Sequence, residues 1–150
     1  IDYLIFVLLR MLAHIHQKEF LLMLLINNVS LTNWSRRSSR VISINSLTEH
    51  YDQIRAKFLA EHTHSEDEIR FFVDGQGLFW FNLETEPVFN LLCERGDLIS
   101  VPEGTKHWFD AGESNPFVKA IRIFIDMSGW VPDYTQSGLE RNFSDFNVPQ

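Results

Sequence analysis

His62-Thr63-His64-Ser65-Glu66-Asp67-Glu68 and, further along, Gly104-Thr105-Lys106-His107-Trp108-Phe109 are the stretches that decide this chain. Side chains alternate with period two along a strand, so His62 and His64 share a face. Glu68 lies at a further even offset, and a strand running on from His64 brings it to the same face. His107, supplied by a second hairpin, completes a set of three imidazoles and one carboxylate. Such donors suit iron, nickel, manganese or zinc. Four protein ligands on an octahedral ion leave two positions for other ligands. That favours redox or substrate-binding chemistry over a closed structural site.

The rest of the 150 residues supplies a core to hold such a site. The chain is 45% apolar, with 13 Phe and 4 Trp, which argues for one ring-lined domain and against disorder. A formal charge of −7 repels phosphate backbones, so nucleic acid is not expected as a partner. Cys93 is the sole cysteine, which excludes an intrachain disulfide framework and fits a reducing compartment. The expected location is cytoplasmic, extending to the nucleus in a eukaryotic cell. Cys93 itself reads as a small buried hydrophobe. Asn28, Asn33 and Asn142 begin Asn-X-Ser matches that would matter only in a secreted protein.

The amino end is atypical. Residues 3–9 and 20–26 are apolar runs, interrupted by Arg10, His14, His16, Lys18 and Glu19. Neither approaches the roughly 20 apolar residues that span a bilayer. The basic stretch and small-residue cleavage site of a signal peptide are both missing. The leading reading is one or two buried or dimer-forming helices. An interfacial membrane segment and a non-native leader are the alternatives, and Ile1 in place of Met fits a fragment or a misassigned start. On a helix His14 and His16 diverge, so they are not expected to be ligands. Residues 30–40 read as a polar, basic linker. The expected division is an atypical segment over 1–40 and one barrel domain over 41–150.

Residues 41–44 predict a short strand. Ser46 and Glu49 have the spacing of a capping box, and Leu47, Tyr51, Ile54 and Phe58 mark one face of a helix ending near Leu59. Beyond Glu61 short strands alternate with turns. Strands are expected over 69–73, 78–83, 88–92, 98–101 and 117–125, and Asp74-Gly75-Gln76-Gly77 reads as a hairpin. The fold class is mainly β, an antiparallel sandwich or barrel with a few peripheral helices.

His62-X-His64-X3-Glu68-X6-Gly75 and Gly96-X5-Pro102-X-Gly104-X2-His107 resemble the two cupin motifs, with Ala111 where the second usually ends in Asn. The narrower strings resemble the acireductone dioxygenase family. They are Phe58-Leu59-Ala60-Glu61-His62-Thr63-His64, Asp67-Glu68-Ile69-Arg70-Phe71-Phe72-Val73, Leu98-Ile99-Ser100-Val101-Pro102, His107-Trp108-Phe109-Asp110 and Ala120-Ile121-Arg122-Ile123-Phe124 before Gly129-Trp130. The resemblance covers roughly residues 41–143 and implies a cupin jelly-roll barrel. It also implies an enzyme of methionine salvage that cleaves 1,2-dihydroxy-3-oxo-5-(methylthio)pent-1-ene with O2. With iron the implied products are formate and 4-methylthio-2-oxobutanoate. With nickel they are 3-methylthiopropanoate, formate and carbon monoxide. One Fe2+ or Ni2+ per chain, held by His62, His64, Glu68 and His107, is implied, with no organic cofactor. The partners are then the acireductone and O2, in a monomer or small homo-oligomer.

Arg70, two residues past Glu68, can grip a substrate oxyanion with both arms of its guanidinium. It can equally pair with Asp67 or Glu66. Arg122, inside an apolar strand, can grip substrate, orient a ligand or pair with a carboxylate behind the site. Phe71, Phe109 and Trp130 are candidates for the apolar wall of a substrate pocket, with ordinary core packing as the alternative. Two other functions remain open at this level: another cupin enzyme, such as a different dioxygenase or a sugar-phosphate isomerase, and a cupin that binds a partner without catalysis.

Overall fold

A computed structural model describes residues 9–10, 38–124, 128–143 and 146. Apart from residues 9–10, the amino-terminal stretch expected to hold one or two helices lies outside these residues, as do the histidines at 14 and 16 and most of the 30–40 linker. Where the described part touches them, it differs. Leu9–Arg10 is a two-residue strand, β1, pairing with Leu98 and Asp97, so an open strand edge prevails there over local helix propensity. The polar stretch gives way to strand at Ser38, not at residue 41.

The elements run β2 (Ser38–Ile44), α1 (Tyr51–Leu59), β3 (His62–Thr63), β4 (Glu68–Asn82), β5 (Phe89–Glu94), β6 (Asp97–Val101), β7 (Lys106–Asp110), β8 (Val118–Phe124) and β9 (Asp133–Tyr134). Short 3₁₀ turns lie at Ser128–Trp130 and Leu139–Asn142. All strand pairs are antiparallel, and β4 is the spine. Its first half pairs with β6 and β8, and its second half pairs with β5 and β7. Beyond these, β2 extends the first sheet from β8, while β3 and β9 extend the second from β7.

Asp74-Gly75-Gln76-Gly77 is therefore not a hairpin but a bulge inside one long strand. Burial alternates on even numbers at Glu68, Arg70 and Phe72, then on odd numbers at Gly77, Phe79 and Phe81. A one-residue slip would turn every side chain to the wrong face, and the register shift between Phe72 and Asp74 absorbs it. Gly75 sits there at φ 70°, and a Cβ on it would stand 2.0 Å from the Phe117 carbonyl oxygen. The Asp-Gly pair supplies the backbone freedom its sequence implies, but the chain runs on through it and does not reverse.

The two sheets close on a core of Ile44, Phe72, Phe79, Phe81, Cys93, Ile99, Val101, Phe109, Ala111, Val118 and Ala120, with Tyr51, Ile54 and Phe58 of α1 packed against it. The helix is shorter than its sequence pattern. His50 precedes it in the left-handed region at φ 55°, with no side-chain cap. Ser46 and Glu49 do not form the capping box. Asn45 instead turns the chain, its Oδ1 accepting from Leu47 N at 2.8 Å while its own N–H donates to Thr48 Oγ1 at 2.9 Å. Leu47, left outside the helix, is exposed. Arg55 on α1 grips buried Asp110 through Nε at 3.0 Å and Nη2 at 2.9 Å, fixing the helix to β7. Strand β7 escaped the sequence pattern because nearly every residue of Lys-His-Trp-Phe-Asp is buried, leaving no alternation to read. Among the described residues, no helix is long and apolar enough to cross a membrane.

Candidate metal centre

Both sheets contribute to one polar cluster inside this apolar shell. His62 on β3 and His107 on β7 are register partners in the second sheet, and Glu68 opens β4 in the first. His64 lies in the connection between them. The single strand expected from His62 to Glu68 thus breaks at Ser65-Glu66-Asp67, and the ligand candidates face one another across the barrel. The loops are pinned: Gly104 N donates to His64 O at 2.9 Å, and Glu103 N to Asp67 Oδ1 at 2.9 Å. The second of these bonds gives Asp67 a structural task in place of pairing with Arg70.

His62, His64 and His107 each offer a ring nitrogen within 4.8 Å of the others, and all three are buried. Backbone carbonyls set two of the tautomers. His62 Nδ1 donates to Ala60 O at 2.7 Å, and His107 Nδ1 donates to Thr105 O at 2.8 Å. A carbonyl only accepts, so the proton sits on Nδ1 and Nε2 presents its lone pair. Burial, followed by the neighbouring His107, lowers the His62 pKa to about 3, so this ring is neutral at physiological pH. His107 Nε2 is buried with no hydrogen-bond partner among the described residues. An orphaned inward lone pair beside two more imidazoles is what a soft-to-borderline cation would satisfy. The donor set fits a divalent transition ion.

Glu68 is fully buried, with Oε2 3.1 Å from His64 Nε2 and 3.7 Å from His107 Nε2. Burial alone would raise its pKa, but the Arg70 and Arg122 guanidinium groups overcome this and hold it well below the usual carboxylate range. Arg70 Nη2 donates to Oε1. Arg122 Nη2 donates to Oε2 at 2.8 Å and to His64 Nε2 at 2.9 Å. Both arginines therefore grip the carboxylate, and Arg122 also meets His64 directly. Arg70 lies over Phe79 and Phe109, 4.7 and 4.5 Å from their centroids. Arg122 lies over Phe124 at 4.7 Å and Trp130 at 5.5 Å. The sequence candidates Phe109 and Trp130 thus back the two arginines.

Phe71 does not join them. It stands at an odd offset from Glu68 and Arg70, on the opposite face of β4, packed with Ile69, Leu98, Ile121 and Ile123. The same period-two rule that joined His62 to His64 excludes it. Conversely, Glu61 went unnoticed in the sequence. It is buried beside His62 and accepts from Thr135 Oγ1 at 2.6 Å and Asn82 Nδ2 at 2.8 Å. Burial opposes its ionisation, yet donors from Thr135, Asn82 and Ser137 prevail and lower its pKa. Glu61 O also receives Thr135 N at 3.0 Å, holding β9 against β3 with the Tyr134 ring 5.9 Å from that of His62. No sequence signal marks these partners, because they come from two segments distant from Glu61, the end of β4 and residues 135–137.

A family model for the ARD/ARD' family matches residues 14–132. The chain belongs to that family. It is 65% identical over 107 residues to an acireductone dioxygenase of Picosynechococcus sp., covering 71% of this chain and 60% of that protein. It is 52% identical over 106 residues to one of Gluconacetobacter diazotrophicus, covering 71% and 58%. The chain therefore spans about 60% of the length of these curated relatives. Among solved structures it resembles an acireductone dioxygenase from Bacillus anthracis with a cadmium ion in its active centre. The TM-score is 0.64 at 35% identity, over 82% of this chain and 73% of the other. The cupin-type barrel of an ARD/ARD' member is thus the fold that carries the imidazole cluster.

Proposed function

We propose that this chain is an acireductone dioxygenase of methionine salvage, cleaving 1,2-dihydroxy-3-oxo-5-(methylthio)pent-1-ene with O2. The observation that carries the reading is the convergence of three buried imidazoles, His62, His64 and His107, on one point beside ionised Glu68. Family membership and the relatives' names support it. His62, His64, Glu68 and His107 would hold one Fe2+ or Ni2+ per chain. A bound ion would supply Lewis acidity and redox chemistry there, with those four residues holding it.

The protein's own work is placement and charge. Arg70 and Arg122 keep Glu68 anionic at full burial, where an unpaired carboxylate would take up a proton. Nε of Arg70 and of Arg122 is buried without a partner among the described residues, so each keeps a donor for an enediolate arriving at the cluster. Buried Phe109 and half-buried Trp130 lie against those guanidinium groups, and such apolar surroundings strengthen the ionic contacts beside them. Iron should direct cleavage to formate and 4-methylthio-2-oxobutanoate, and nickel to 3-methylthiopropanoate, formate and carbon monoxide. The chemistry fits a monomer or small homo-oligomer in a reducing, cytoplasmic setting.

Metal analysis of the purified chain, joined to oxygen uptake on acireductone, tests this reading. Stoichiometric metal with rapid uptake is expected. Metal without uptake would leave a different cupin enzyme or a binding protein.

A further inference from the structure

Arg40, Arg122 and Arg70 stand in one row across three adjacent strands. Arg40 on β2 is the register partner of Arg122 on β8, and Arg122 is the partner of Arg70 on β4. Like charges directly opposed on neighbouring strands destabilise a sheet unless opposite charge lies between them. Glu68 answers Arg70 and Arg122. Among the described residues, no carboxylate lies in ion-pair range of Arg40. Its guanidinium lies instead over Trp130, 4.7 Å from the ring centroid, and the same ring has Arg122 at 5.5 Å.

The phase of β2 says which way Arg40 faces. Ile44 is buried in the core and Ile42 packs against it, so Arg40 continues the same alternating face outward, ending exposed. Among the described residues, Glu68 is the carboxylate ion-paired with this row of three guanidinium groups, through Arg70 and Arg122. The row is graded from Arg70, buried beside Glu68, to Arg40 in solvent. Such an excess of fixed positive charge is suited to a small oxyanion.

We propose that Arg40 is a substrate-binding residue, the outer member of an anion-receiving row that uses Trp130 as a platform shared with Arg122. Its ligand is a small planar oxyanion, a carboxylate or an enediolate. That the natural anion is an enediolate rests on the dioxygenase reading; the anion site itself does not. Arg40 would act on capture, so its loss should weaken binding more than turnover. The interaction should also be sensitive to salt, because Arg40 is solvent-exposed.

Oxalate serves as an unreactive probe. It would be titrated calorimetrically into the metal-loaded full chain, in low salt and in about 0.5 M NaCl, where screening shortens to a few ångströms. Wild type, Arg40→Gln and Arg40→Lys would be compared, with metal content checked and KM and kcat for oxygen uptake on acireductone measured alongside. Arg40→Gln should weaken oxalate binding roughly five- to tenfold in low salt, and the gap should close in high salt. Arg40→Lys should keep most of the affinity, and KM should rise more than kcat falls. Unchanged oxalate affinity in Arg40→Gln would return Arg40 to a cover for Trp130, as would a loss indifferent to salt. If Arg40→Gln does not fold, Arg40→Met makes the same comparison. If wild type takes up no oxygen, the dioxygenase reading fails and the oxalate comparison alone decides the role of Arg40.

Discussion

His62 and His107 face each other directly across the β3–β7 ladder, their ring centroids 4.6 Å apart. Backbone pairing, not side-chain reach, sets their spacing, and β9 closes on the other side of His62 through Tyr134. Removing one imidazole should therefore leave the others in place but one donor short. His64→Ala and His107→Ala are each expected to lose stoichiometric metal by elemental analysis while remaining folded by circular dichroism. Full metal in both variants would remove these residues from the ligand set.

Arg70→Lys should keep the metal and the fold yet lower turnover, by roughly ten- to a hundredfold, because lysine keeps the charge but loses the planar fork. The fork matters here because Arg70 must hold Glu68 Oε1 while lying over the rings of Phe79 and Phe109. Steady-state kinetics on metal-matched protein would check this. Unchanged kcat/KM would confine Arg70 to its ion pair.

The imidazole cluster should also leave a mark on pH stability. The His62 pKa falls from 6.5 to about 3 on folding, chiefly through burial. Above 6.5 both states leave this ring neutral, so it adds no pH dependence. Between 6.5 and about 3 the unfolded chain binds a proton that the folded chain refuses, so stability falls as pH falls. The slope from one such group approaches about 1.4 kcal/mol per pH unit. Urea unfolding of metal-free protein between those limits should show it, and His62→Gln should flatten it by that amount. An equal slope in the variant would mean that His62 titrates normally.

Glu61 gathers Asn82 and Thr135 around one buried carboxylate. Thr135→Val leaves part of that carboxylate without its donor, which typically costs about 1–3 kcal/mol. Because the lost Thr135 Oγ1–Glu61 bond also helps hold β9 against β3 over His62, the variant should release metal to a chelator faster than wild type. A loss of stability with unchanged release would make Glu61 a purely structural anchor.

The clustering of His62, His64 and His107 beside Glu68 was legible because its information is local: these residues sit in motifs whose spacing is read directly. Strand identity was mostly legible where alternation survives, as at residues 98–101, and failed at β7, buried on nearly every residue. Path was not legible. The Asp74-Gly75 pair permits either a hairpin or a bulge, and only the partners of β4 on each side choose between them. The apparent capping box at Ser46 and Glu49 lost to an Asn45 turn, which leaves His50 to lead into the helix. Phe71 stands at an odd offset from Glu68 and Arg70, so the period-two rule places it on the opposite face of β4. Arg40 was hidden in a polar stretch, although its even spacing from Ile42 and Ile44 was available to read.

The most direct measurement strips the purified chain of metal, reloads separate portions with iron or nickel, and follows oxygen uptake and products on acireductone. Both forms should consume oxygen. The iron form should release formate and 4-methylthio-2-oxobutanoate, and the nickel form should yield carbon monoxide with 3-methylthiopropanoate and formate. Identical products from both would contradict control by the ion, and no uptake from either would contradict the dioxygenase itself.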